Sequence, residues 1–245
     1  MVKTTNTPPR HFAYKHPLFG TKSRPKDGSN SVYYFWWAFL KRNSQYIACC
    51  ESGGKGKLSK LYADFGDVRG NNFKKWWTDN ERGVRLFAEP SNDTVRVLKG
   101  GERVVEPLGT LTLALPLNLP KKLLLQRCKS LLAEVHPGKQ GRLLARLSEA
   151  RYKVKGQPNI EGLATTLRVY EFRLAHPELA LWEIGNQLPR FMLSQRVHSS
   201  DTPATAKDKK NALAAAVGRY LKKAELMIDS ASRGVFPYAE GKDNV

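Results

Sequence analysis

The spacing of apolar and polar positions changes period along the chain. Residues 1–30 carry Pro, Gly, Lys and Ser with few spaced hydrophobes and read as a basic flexible arm, ordered only where something holds it. Asn30 or Ser31 can cap a helix running through Tyr33, Trp36, Trp37 and Leu40 toward Ile47. That helix is apolar on nearly every side up to Lys41, so much of it is expected to be buried. The run Gly53-Gly54-Lys55-Gly56 ends it. Shorter helices follow over Leu58 to Phe65 and Phe73 to Trp77, parted by Gly66 and Gly70-Asn71.

The middle of the chain switches to short β-branched or alternating runs: Val84 to Ala88, Thr94 to Leu98, Arg103 to Val105 and Thr110 to Leu115. With turn residues at Asn92-Asp93 and Gly100-Gly101, they predict a small antiparallel sheet, stopped by Pro116 and Pro120. Beyond Pro120 the period is helical again. Leu124, Cys128, Leu131, Leu132 and Val135 share one face, and Leu143, Leu144, Leu147 and Ala150 suggest the next helix. A third enters at Asn159 and uses Ile160, Leu163, Leu167 and Leu174, and a short fourth spans Leu179, Trp182 and Leu188 before Pro189. The clearest stripe is the last: Leu213, Val217, Tyr220, Leu221, Ala224 and Ile228, ending at Gly234. The fold class expected is α+β with helix predominant. It divides into an arm over 1–30, an aromatic-rich α+β domain over 31–119 and a basic all-α nucleic-acid-binding domain over 120–245.

Charge sharpens this picture. The 245 residues hold 41 Lys and Arg against 22 Asp and Glu, a net of +19, which attracts polyanions, nucleic acid first among them. The excess is localised: residues 120–155 carry ten basic side chains and only the two acids Glu134 and Glu149. A merely solvated surface would mix the signs. The longest apolar run, Val32 to Leu40, is nine residues, far short of the roughly 20 that cross a bilayer, and no signal-like segment opens the chain. Cys49, Cys50 and Cys128 form neither a disulfide framework nor a zinc pair. These features together read as a cytoplasmic protein with no cofactor and no membrane partner.

Candidate chemistry follows from clusters. Tyr33 to Phe39 with Phe73, Trp76 and Trp77 can form a core or, beside cations, a base-stacking platform. The glycine run around Lys55 and Lys57 fails the P-loop spacing, with Glu51 in place of the first glycine and Leu58 in place of the hydroxyl. It leaves a helix end whose lysines can touch phosphate. Asp64, Asp67, Asp79 and Glu81 are the acids close enough to suggest a metal-dependent nuclease, though no strand presents them together. The five histidines make no metal or triad pattern, and the chain is read as non-catalytic. The basic constellation is the most informative. Lys121, Lys122, Arg127 and Lys129 lie off an apolar helix face, and Arg142, Arg146, Arg151, Lys153 and Lys155 continue the row. Such rows neutralise phosphates whatever the base sequence.

Trp182-Glu183-Ile184-Gly185-Asn186-Gln187-Leu188 places an apolar residue and a small one before a closing leucine, with a basic helix downstream. Over roughly residues 160–234 this resembles the helix-turn-helix unit of bacterial DNA-binding regulators, including the sigma-factor-like type, as found on phages and conjugative elements. The resemblance departs from that unit in one respect: some sixteen residues, rather than three or four, follow Pro189 before the last helix. The resemblance implies that Lys207, Lys209, Lys210, Arg219, Lys222 and Lys223 meet DNA on a reading helix. The function expected is therefore non-catalytic nucleic-acid binding, with duplex DNA favoured. An RNA-binding or ribonucleoprotein subunit, a partner of single-stranded DNA, and a protein-interaction module or inhibitor of a nucleic-acid enzyme remain as alternatives.

Overall fold

The computed structural model describes residues 12–21, 23–89, 97, 111–135 and 148–237. Among them the fold is all-α, with no strand, which corrects the expected α+β class and its antiparallel sheet. The run Val84 to Ala88 falls in a helix over Arg82–Phe87, because Gly83, Leu86 and Phe87 turn into the core at helical spacing. Tertiary burial overrides the β-propensity of one valine. Residues 111–115 have no regular structure despite their alternation, and their leucines stay partly exposed with no neighbouring strand to pair. Thr94 to Leu98, save Val97, and Arg103 to Val105 lie outside the described residues.

Five helices begin at residues whose side chains cap them: Ser31, Asn43, Asn72, Asn159 and Thr202. Ser31 Oγ accepts from the Tyr33 N–H to open α1 (Val32–Leu40) and donates to the Lys15 carbonyl. The predicted continuous helix toward Ile47 breaks at Lys41-Arg42, because Asn43 caps a separate α2 (Ser44–Glu51). Gly53 and Gly54, both at positive φ, return N–H groups to the Cys50 and Cys49 carbonyls and end it. Next come α3 (Ser59–Phe65), α4 (Phe73–Thr78, capped by Asn72) and α5 (Arg82–Phe87). After them follow α6 (Lys121–Val135) and α7 (Ile160–Ala175), the latter capped by Asn159 as expected. The last two are α8 (Leu181–Gln187) and the long α9 (Pro203–Ser232), opened by Thr202 with Pro203 in its first turn. The helix suggested by Leu143, Leu144 and Leu147 lies outside the described residues.

Two apolar clusters organise these helices. The larger is aromatic: Tyr33, Trp36, Trp37, Phe65, Phe73, Trp76, Trp77 and Phe87 pack ring against ring, with Trp77 and Phe87 stacked at 5.8 Å and 10°. The Tyr-Trp constellation is thus core. Leu163 and Leu167 of α7 and Ala224, Met227 and Ile228 of α9 close over it, and Phe236, fully buried, stacks on Trp36 at 5.6 Å. The second cluster joins Val169 of α7, Ile184 and Leu188 of α8, and Leu213, Ala216 and Val217 of α9. Gly185 sits where α8 meets α9: a Cβ there would come within 3.1 Å of Leu213 and 3.2 Å of Val217. Both clusters therefore share α7 and α9, which act as the two beams of the molecule. No helix among the described residues is long and apolar enough to cross a membrane.

Candidate nucleic-acid interface

A ribbon over residues 150–155, bent at Arg151-Tyr152 and bridged in parallel at Val154 to Phe236, threads between the aromatic core and the segment after α9. The Tyr152 N–H bonds the Leu86 carbonyl at 3.0 Å, and the Lys155 N–H bonds the Phe236 carbonyl at 2.8 Å. The Tyr14 hydroxyl adds a bond to the Gly156 carbonyl from the other side. A ribbon alternates its side chains with period two. Ala150, Tyr152 and Val154 accordingly turn inward, while Arg151, Lys153 and Lys155 are exposed.

Those three cations form one wall of a cleft of about 450 Å³. Lys57 and Lys60 form another, delivered by the glycine turn after α2 and the first turn of α3, and Arg233 reaches in from the end of α9. Leu58, Leu61 and Val235 supply apolar lining, and no acidic residue lines the cleft. Gly234 adopts positive φ there, and a Cβ would stand 3.0 Å from the Tyr152 ring, so the turn needs a glycine.

Two acids stand just behind the wall. Asp64, with a side chain 15% exposed, accepts from Arg151 at 2.7 Å and from the Tyr152 hydroxyl at 2.7 Å. Burial, and then the neighbouring Asp64 carboxylate, push the Tyr152 phenol well above its ordinary value, so it stays a proton donor at neutral pH. Asp229 pairs with Arg233 at 2.8 Å. Lys57, Lys60, Lys153 and Lys155 have no ion-pair partner among the described residues. Four uncompensated ammonium groups around one concavity make a focused positive field.

The other sequence-derived candidates distribute differently. Lys121, Lys122, Arg127 and Lys129 are exposed on α6, whose described side chains are nowhere fully buried, and they do not line the cleft. Arg142 and Arg146 lie outside the described residues. On α9, Lys207, Arg219 and Lys222 are exposed and Lys223 is half-buried. Lys209 is engaged within the protein, donating to Asp201 at 2.6 Å, and Lys210 rests over the Trp182 ring at 4.3 Å. These two cations tie α9 to its own N-terminal turn and to α8.

Each acid of the suggested metal group also has company. Asp67 is clasped by Arg69, which with backbone bonding holds its carboxyl below the ordinary range, and Asp79 pairs with Arg82 at 2.7 Å. No three His, Cys, Asp or Glu side chains among the described residues converge as a metal-ligand set. Lys60 and Arg233 were absent from the sequence candidates, since nothing local marks them. The alternation of Arg151, Lys153 and Lys155 with inward residues was the signal that could have shown the ribbon. No protein-family model matches the chain, and no curated protein or solved structure does so.

Proposed function

We propose that this chain is a non-catalytic nucleic-acid-binding protein that grips the sugar-phosphate backbone, with duplex DNA as its first partner. The observation that carries the reading is the cleft: six cations from three distant segments, with no acid among its lining residues. Cations so placed neutralise phosphates and release their counterions, which gives affinity without base readout. The exposed cations of α6 extend the same surface chemistry. The buried state of Trp36, Trp37, Trp76 and Trp77 removes those rings as base-stacking platforms, which weighs against the ribonucleoprotein alternative.

Base readout, in this proposal, belongs to the exposed Arg219 and Lys222 on α9, with the α8–α9 pair braced at Gly185 as in the regulators that this segment resembles. The test is a salt titration of binding to labelled duplex DNA, single-stranded DNA and RNA of matched length. Duplex binding should weaken steeply and linearly on log–log axes, with a slope of about 0.9 per phosphate neutralised. Arg219→Ala should narrow the gap between preferred and random sequences, whereas Lys121→Ala should weaken all sequences alike. A flat salt response, or no binding, overturns the reading and points to an acidic protein partner.

A further inference from the structure

A cleft of about 450 Å³ has the volume of a cube roughly 8 Å on a side, less than the roughly 12 Å width of the B-DNA major groove alone. A duplex can rest across the mouth of such a cleft but cannot enter it. What fits is one strand. Arg151, Lys153 and Lys155 are exposed at alternate positions; the chain bends at Arg151-Tyr152 and straightens from Lys153, so Lys153 and Lys155 project about 6.6 Å apart. That interval is of the same order as the distance between successive phosphates of an extended strand. Lys57 and Lys60 face them from a second wall, so a backbone lying between would meet cations on both sides. Leu58, Leu61 and Val235 offer an apolar surface for a base or sugar edge, and the protonated Tyr152 phenol is already committed to Asp64.

We propose that the cleft holds a short unpaired stretch of nucleic-acid strand, so that the protein favours duplexes interrupted by a gap or carrying a single-stranded end. This deepens the reading above and rests on it. Arg151 and Arg233 are each shared with an acid, so the four unpartnered lysines supply most of the grip.

The experiment measures anisotropy of three labelled probes with the full-length chain: a blunt duplex, the same duplex with a short single-stranded gap, and the unpaired strand. The gapped probe should bind roughly ten-fold more tightly than the blunt one at moderate salt. Lys153→Ala with Lys155→Ala should erase that advantage and flatten the salt slope for the unpaired strand by about 0.7 per lysine removed. Both side chains are exposed, so circular dichroism should show the fold unchanged. Lys121→Ala with Lys222→Ala should weaken blunt and gapped probes equally. Equal affinity for blunt and gapped duplexes overturns this inference while leaving duplex binding intact. An advantage that survives the double lysine variant overturns it too, and binding to none of the probes overturns both readings.

Discussion

Trp36 and Trp76 are both buried in the aromatic core, yet their indole nitrogens differ. Trp76 Nε1 donates to the Phe65 carbonyl at 2.7 Å, whereas Trp36 Nε1 has no hydrogen-bond partner among the described residues. An orphaned buried N–H carries its desolvation cost in the folded state. Replacing either ring by Phe removes similar volume, but only Trp76→Phe strands a carbonyl. Trp76→Phe is therefore expected to cost about 1–3 kcal/mol more than Trp36→Phe. Urea midpoints at constant slope measure the difference, and equal losses would show that packing alone sets both values. Little of this was visible beforehand. The aromatic spacing at Trp36-Trp37 and Trp76-Trp77 announces burial, but which indole finds an acceptor depends on where Phe65 ends its helix.

At the scale of elements, caps and stripes were the legible part. Ser31 and Asn159 open the helices expected of them, and the Leu213-to-Ile228 stripe lies on α9. The helix split at Asn43 was missed because the apolar positions resume at Tyr46 and Ile47 and carry a helical period across the polar stretch Lys41 to Gln45, in which the cap lies. The sheet was expected wrongly because a run as short as Val84 to Ala88 has no period long enough to tell strand from helix. The start of α9 has its own lock. Asp201 accepts from the His198 N–H at 2.8 Å and from Lys209, and these contacts hold its carboxyl below the ordinary carboxylate range. A depressed carboxyl contributes stability above its unfolded pKa, about 3.9, and loses that contribution as pH falls through the lower folded value. Acid titration of the unfolding midpoint below pH 4 should thus fall less steeply for Asp201→Asn than for the parent chain. An identical acid limb in the variant would show that the lock contributes nothing.

For the whole molecule, the two clusters are coupled through α7 and α9, and the segment after α9 is pinned by Phe236 against Trp36 and Phe39. Emptying that position by Phe236→Ala is expected to cost about 3–5 kcal/mol. Because the Lys155 N–H bonds the Phe236 carbonyl, the same change should loosen the cationic ribbon and weaken the nucleic-acid binding proposed above. Thermal melts followed by near- and far-ultraviolet dichroism should shift together. A near-unchanged melt would show that Phe236 is dispensable to the core. The cleft itself was the part least visible in the sequence. The charge density of residues 120–155 pointed toward it, but its opposite wall comes from Lys57 and Lys60, roughly ninety positions earlier. No local pattern encodes a meeting between segments so far apart.

That distance has a consequence for the order in which the protein gains its properties. Closing long loops precedes the contacts they make, so assemblies of remote segments form late. Arg233 follows Lys60 by 173 positions and Lys155 by 78, and Phe236 comes three positions later. During synthesis, the ribosome must release Arg233 and Phe236 before ribbon, helix end and glycine turn can converge. A growing chain carrying most of the positive charge would still lack the shaped site. The cleft is completed only as α9 and Phe236 close the core, so site and scaffold are finished together.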